Sequence, residues 1–203
     1  MSIHQFPADV SRETIERFDL YEALVSKWNP VINLVAKSTV SDFKHRHLQD
    51  SIQVYQNDVS WTRWVDMGSG GGLPGIVVGI IAAQNKPDAE IHLIESDQRK
   101  CAFLLTCVRE LGLNIKVHSQ RILEIPSLAA DIVSARALAS LDMLLEFGCH
   151  HGNKTATFLF PKGANWKSEV AEAQKTWTFE YEALKSVTDP DATILKIAGA
   201  QRV

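Results

Sequence analysis

Long apolar runs are missing from this 203-residue sequence. The most extended nearly pure one, Ile76 to Ala83, is far too short to span a bilayer. The first residues, Met1-Ser2-Ile3-His4-Gln5, lack the basic start and apolar stretch of a signal peptide. Cysteine is scarce: Cys101, Cys107 and Cys149 cannot all pair, and none forms a close C-x-x-C couple of the kind used for zinc or redox work. That usage fits a reducing compartment, so the expectation is a cytoplasmic protein, neither exported nor embedded, with no metal site. An excess of positive charge is absent too. With 21 Lys and Arg against 24 Asp and Glu, the net charge is −3, so no global field draws polyanions in, and any nucleic-acid contact must come from a local basic patch. What remains, 45% hydrophobic and 22% charged, is the profile of a soluble globular domain.

Residues 11 to 28 place Ile15, Phe18, Leu20, Tyr21, Leu24, Val25 and Trp28 mostly three and four apart, which predicts an amphipathic helix capped by Ser11 and stopped by Asn29-Pro30. A second helix is expected from Ser41 or Asp42 to about Gln56, with Phe43, Leu48, Ile52 and Tyr55 inward and Lys44, Arg46 and Gln49 outward. From Trp64 the pattern changes to short branched runs alternating with helical stretches: Trp64–Met67, Ile91–Glu95, Ile115–His118, Asp131–Ser134 and Thr157–Phe160. Strands separated in this way imply a right-handed, largely parallel α/β sheet covered on both faces. The end differs: Thr178–Leu184 and Thr193–Ala198, joined by Asp189-Pro190-Asp191, read as an antiparallel hairpin at a sheet edge. The organisation expected is an N-terminal helical cap over residues 1–60 on a domain of residues 61–203, in one compact unit.

The most informative stretch is Asp66-Met-Gly68-Ser-Gly70-Gly71-Gly72-Leu73-Pro74-Gly75, between the first strand and an apolar helix. Its glycines let backbone approach a ligand, and Pro74 suits a first helical turn. Gly70-x-Gly72-x-x-Gly75 also satisfies the dinucleotide fingerprint, which alone is weak. Charge separates the two readings. Asp66 beside the loop would repel a pyrophosphate but attract the sulfonium and ammonium of S-adenosylmethionine, by a few kcal/mol at an effective dielectric of about 20. On that reasoning Asp66→Asn should weaken cofactor binding by about 1 to 3 kcal/mol. Glu95, at the end of the second strand, stands where an open α/β sheet presents an acid to ribose hydroxyls, which both ligand classes require.

These residues resemble a known family, the bacterial small-subunit ribosomal RNA guanine-N7 methyltransferases, also called the glucose-inhibited division protein B family. The likeness runs through Lys27-Trp28-Asn29 with Asn33-Leu34, Arg46-His47-Leu48-Gln49-Asp50-Ser51, the loop from Gly68 to Ile76, Arg136-Ala137 and Lys162-Gly163. The resemblance implies a Rossmann-like class I methyltransferase fold with a mostly parallel seven-stranded sheet. It implies S-adenosylmethionine as donor and guanine 527 of 16S rRNA as acceptor, free or within the 30S subunit. Carried over by position, Gly68, Leu73, Ile122, Leu123 and Arg136 would contact the cofactor, and Gly70 and Gly72 complete the loop. Two departures stand out. Gly71 occupies a position where proline is common and should loosen the turn, and Ala135 stands where a serine is usual.

Guanine N7 carries an in-plane lone pair and no hydrogen, so it attacks a sulfonium methyl group without a general base. The site then acts by alignment, holding methyl and N7 about 3 to 3.5 Å apart. No Asn-Pro-Pro-Tyr or Asp-Pro-Pro-Tyr tetrad for an exocyclic amine is present. Arg136 could orient the guanine, hold the donor, bind RNA phosphate or form a surface salt bridge. His47, Asp50 and Ser51 share a helix face by spacing, and Arg46 with Asp50 forms an i, i+4 pair. His47, Asp50 and Arg136 are therefore candidates near the chemistry. Lys44, Arg46, Arg121, Lys162 and Lys167 are candidates for an RNA-facing rim. Cys101 and Cys107 read as packing thiols. A methyltransferase of the same fold acting on a small molecule or protein, and a nicotinamide-dependent oxidoreductase, remain alternatives. Nothing in the sequence requires more than a monomer.

Overall fold

The computed structural model describes residues 10–36, 42–55 and 59–203. Helix α1 (Arg12–Ile32) starts where expected, with Ser11 Oγ accepting the Thr14 N–H at 3.2 Å. It does not stop at Asn29-Pro30. Pro30 lies in the last turn at an exposed position, so the carbonyl it deprives of a partner, that of exposed Ser26, is within reach of water. The helix ends instead at Asn33, in the left-handed conformation (φ 50°), whose N–H donates to the Asn29 carbonyl at 3.0 Å.

The second helix is not a regular one. A π turn, Lys44–Leu48, is closed by the Gln49 N–H donating to the Lys44 carbonyl, and a short α2 (Gln49–Ile52) comes directly after it. Phe43, Leu48 and Tyr55 are buried as their spacing implied, whereas Ser41 and Gln56, the expected ends, lie outside the described residues. The extra residue in the turn rotates the side chains beyond it, so Arg46 and Asp50 do not pair: Arg46 is exposed and Asp50 turns toward the sheet. Ser51 is buried, its hydroxyl donating to the His47 carbonyl at 2.8 Å.

The sheet comprises β1 (Arg63–Met67), β2 (Glu90–Glu95), β3 (Ile115–Ser119), β4 (Ala130–Ala135), β5 (Gly152–Lys162), β6 (Trp177–Lys185) and β7 (Thr193–Arg202), in the order β3-β2-β1-β4-β5-β7-β6. The first five are parallel, and β7 runs antiparallel between β5 and β6. Each predicted strand is present, and Asp189-Pro190-Asp191 makes the hairpin turn, with the Ala192 N–H donating to the Asp189 carbonyl at 3.1 Å. Because β1 has β2 on one side and β4 on the other, crossovers leave it in opposite directions and open a cleft at the carboxyl ends of these strands.

Helices α3 (Gly75–Asn85) and α4 (Gln98–Glu110) cover one face, and α5 (Leu141–His151) and α6 (Trp166–Ala173) the other. Helix α3 is apolar all round because it lies between the sheet and α1; its residues 75–82 are all buried. Trp64, fully buried in this layer, donates its indole N–H to Ser134 Oγ at 2.8 Å, so its one polar atom keeps a partner on burial. The α1 side chains Phe18, Tyr21 and Val25 belong to the same core as α3, so the cap and the sheet share one apolar cluster. Among the described residues no helix is long and apolar enough to cross a membrane. All three cysteines are unpaired; Cys101 and Cys107 are buried, and burial pushes the Cys107 thiol up to about 12.

Candidate active site

The chain leaves β1 through Gly68, whose φ of 62° suits glycine, and turns again at Gly72 (φ 86°), where a Cβ would lie 2.5 Å from Ile76 Cγ1 and 3.1 Å from the Tyr21 hydroxyl. Tyr21 donates that hydroxyl to the Gly71 carbonyl at 2.5 Å. The departure at position 71 is thereby compensated. The loop is pinned from the cap, and a Cβ at Gly71 would already sit 3.2 Å from the Leu34 carbonyl oxygen. Pro74 is the N-cap of α3, one residue before its first turn.

Glu95 is the most rigidly held acid at the cleft. One carboxylate oxygen accepts the Gly70 N–H at 2.9 Å, and the other accepts the N–H groups of Ser96 and Asp97 at 2.7 and 2.8 Å. It lines a cavity of about 600 Å³ together with Gly68, Gly70 and Ile94 on the strand side. Another wall is a 3-10 turn, Ile122–Glu124, preceded by Gln120 and Arg121; Ser96 and Lys100, the segment Ala137, Leu138, Ala139, and Met143 and Phe147 of α5 also line the cavity. Gly68, Gly70, Glu95, Ile122 and Leu123 are thus brought together as the sequence led us to expect.

Asp66 is not with them. It is fully buried beneath the loop, one oxygen accepting the Ser134 hydroxyl at 2.7 Å and the other the Gly75 N–H at 3.2 Å. Burial raises its carboxyl to about 6, against the lowering effect of the Ser134, Ser69 and Gly75 hydrogen bonds and of Arg136. Rather than facing a ligand, this carboxylate fastens β1 to β4 and to the start of α3. Gly72 and Leu73 do not line the cavity in this structure: Gly72 makes the turn, and Leu73, 6% exposed, packs in the core.

Arg136 lines a second cavity, of about 450 Å³, that meets the first at Ala137 and Ala139. Its guanidinium pairs with Asp50 at 3.0 Å and donates to His47 Nδ1 at 3.1 Å. Arg136 forms a salt bridge, half-buried rather than on the surface, with a partner from the cap that also walls this second cavity. Burial first, then the Arg136 charge, lowers His47 to about 4, which leaves its imidazole neutral and able to accept. The other Asp50 oxygen accepts the Thr188 hydroxyl at 3.2 Å, and Gln53 Oε1 accepts the Val187 N–H at 2.7 Å, so the cap grips the β6–β7 loop as well. His47 and Asp50, three residues apart, share a helix face as their spacing implied, and both meet Arg136.

The basic rim is thinner than its sequence suggests. Lys44 is neutralised by Asp19 at 2.6 Å and Glu22 at 3.3 Å. Lys162 is nearly buried, bonded to Glu169 at 2.7 Å and to the Ala139 carbonyl at 3.0 Å. Arg46 and Arg121 are exposed, and exposed Lys167 lies over the Trp166 ring at 5.5 Å. Sequence reasoning missed Leu138, Met143, Phe147 and Thr188. For Met143 and Phe147 a signal existed: an i, i+4 apolar pair on the helix downstream of Arg136. For Thr188, in a polar turn, there was none.

A sequence model of the family described as rRNA small subunit methyltransferase G matches residues 14–196. The ribosomal RNA small subunit methyltransferase G of Ruegeria sp. (strain TM1040) is 52% identical over 195 residues, covering 96% of this chain and 95% of that protein. Among solved structures, ribosomal protein L11 methylase from Lactobacillus delbrueckii subsp. bulgaricus superposes with a TM-score of 0.59 at 16% identity, over 76% of this chain and 78% of that one. A SAM-dependent methyltransferase from Aquifex aeolicus gives 0.54 at 10% identity, over 91% and 97%. At those identities the structures speak for the fold alone, but the near relative and the family match extend through the glycine loop, the Arg136 cluster and the hairpin, and on that ground the chain belongs to the rRNA small subunit methyltransferase G family.

Proposed function

We propose that this protein transfers a methyl group from S-adenosylmethionine to N7 of guanine 527 in 16S rRNA, in the cytoplasm, as a monomer acting on the 30S subunit or its precursor. The observation that carries the reading is the pair of joined cavities. One has a fixed carboxylate at a strand end facing an apolar slot, and the other has an oriented guanidinium.

The residues of the larger cavity fit the donor. Leu123 and Met143 are 51% and 46% exposed at its mouth, and with Phe147 they form apolar walls that an adenine ring would cover. Glu95, with both oxygens already aligned by backbone donors, retains one lone pair, on the oxygen that accepts from Gly70, for a ribose hydroxyl. Gly68 and Gly70 leave room for the amino-acid end. When bound, S-adenosylmethionine supplies an electrophilic methyl group on a positively charged sulfur.

The chain's own residues orient the acceptor. Arg136, held by Asp50 and His47 in the smaller cavity and adjacent in the chain to Ala137, which lines both, can donate to acceptor oxygens of the nucleotide. N7 carries no proton, so the transfer requires no base from the site. Exposed Arg46, Arg121 and Lys167 would meet phosphates around the opening. That His47 and Asp50 come from the cap supports reading residues 1–60 as a substrate-side cover on the methyltransferase domain, residues 61–203.

Incubating the purified protein with labelled donor and 30S subunits lacking the modification, then mapping the labelled nucleotide, tests this. Label at guanine 527 is expected. Label on another base, or on a ribosomal protein, would overturn the substrate assignment.

A further inference from the structure

Helix α5 does two things at the larger cavity with one face. Met143 and Phe147, one turn apart, line it, and one turn further on lie His150 and His151. His151 is fully buried, and its Nε2 donates to the Ile122 carbonyl at 2.9 Å; His150 Nε2 donates to the Ile125 carbonyl at 2.8 Å. A carbonyl oxygen only accepts, so both rings carry their proton on Nε2. The rings meet edge to face, with centroids 4.6 Å apart.

The segment they hold is the 3-10 turn Ile122–Glu124, a wall of the same cavity. A three-residue 3-10 turn has little stability of its own. Its internal hydrogen bonds, Glu124 N–H to Arg121 at 3.0 Å and Ile125 N–H to Ile122 at 3.4 Å, are few, and the second is long. Leu123 cannot anchor it, being half exposed at the cavity mouth. The turn is therefore placed by the Ile122 and Ile125 side chains, which pack on the core, and by the two imidazoles.

We infer that His150 and His151 are positioning residues for the donor: by holding the carbonyls of Ile122 and Ile125 they set the width of the slot between Leu123 and α5. This rests on the reading of the larger cavity as the S-adenosylmethionine site. Burial lowers His151 from its ordinary value, and its Nδ1 has no partner among the described groups, so the ring stays neutral and keeps the tautomer that the contact requires.

The test compares His151→Leu, His151→Gln, His150→Ala and Glu95→Gln in the full-length protein, by calorimetry with S-adenosylmethionine and by kinetics on 30S subunits. Losing one imidazole donor should raise the donor Kd and KM by about 3- to 10-fold, the worth of one hydrogen bond. The kcat at saturating donor and the KM for 30S subunits should stay at their native values. A merely structural role would instead lower all parameters together. His151→Gln, whose amide reaches the same carbonyl, should restore the native donor KM; a Gln variant as weak as the Leu variant overturns the hydrogen-bond argument. If His151→Leu does not fold, His150→Ala, at a half-buried position, is judged by the same criteria. Native donor affinity in the histidine variants with a loss of about tenfold in Glu95→Gln overturns the inference and leaves the site standing. Native affinity in all of them removes both the inference and the assignment of the cavity.

Discussion

Replacing Asp66 by Asn should stabilise the protein increasingly as pH rises, and should barely change donor affinity. The carboxyl lies in a fully buried position between Ser134 and Gly75, and burial raises it from its ordinary 3.8 to about 6. Between those values the folded protein holds a proton that the unfolded chain has released. Stability contributed by this group is therefore present at low pH and lost as pH rises through the folded value. A shift of about 2 units corresponds to about 3 kcal/mol in full, of which about 2 kcal/mol falls between pH 4 and pH 8. Asparagine keeps an acceptor for the Gly75 N–H and places a donor toward Ser134, without the charge. Any fixed cost of its imperfect geometry cancels when two pH values are compared. Urea unfolding of native and variant proteins at pH 4 and pH 8 should thus show their stability difference moving by about 2 kcal/mol in favour of the variant. Parallel behaviour at the two pH values would refute the buried-carboxyl argument. Calorimetry with S-adenosylmethionine should give a Kd within about threefold of native; a tenfold loss would return Asp66 to the ligand.

Other substitutions probe the remaining contacts. Ser134→Ala removes the partner of both Asp66 and the Trp64 indole in a fully buried place, and should cost about 1 to 3 kcal/mol in thermal or chemical unfolding. Asp50→Asn removes the ion pair and leaves a single neutral oxygen to serve either Arg136 or Thr188. Methylation of 30S subunits should fall by about tenfold in kcat/KM, equivalent to about 1.4 kcal/mol, with donor affinity unchanged. NMR of the His47 imidazole should show it neutral at pH 6 and titrating near 4; a titration near 6.5 would place it in water, away from Arg136.

The strand pattern was open to reading because a parallel sheet buried on both faces demands short, branched apolar runs, and each run found its strand. The hairpin was legible from its turn residues. Asn29-Pro30 misled because helix termination by proline depends on whether water can reach the freed carbonyl, and that is set by which side of α1 faces out. The π turn at Lys44–Leu48 was invisible, since a single added residue in a helix leaves the apolar spacing almost intact.

The sequence alone determined that a glycine loop comes after the first strand and that an acid ends the second, because these depend on local backbone conformation and on alternation along the chain. Only the tertiary structure decided which acid meets the cleft. Glu95 and Asp66 look equivalent as strand-end carboxylates, yet one is held by three backbone donors at the cavity and the other is sealed beneath the loop. Their register puts both on one face of the sheet, Asp66 beside Leu93, two residues before Glu95. What differs is the cover, since Ser134 and the start of α3 close over Asp66 while Glu95 lies at the strand end, and that cover is supplied by segments distant in sequence. The same holds for the cations: Lys162 and Lys44 are paired with acids brought by other helices. It holds too for His150 and His151, whose carbonyl partners lie more than twenty residues earlier in the chain.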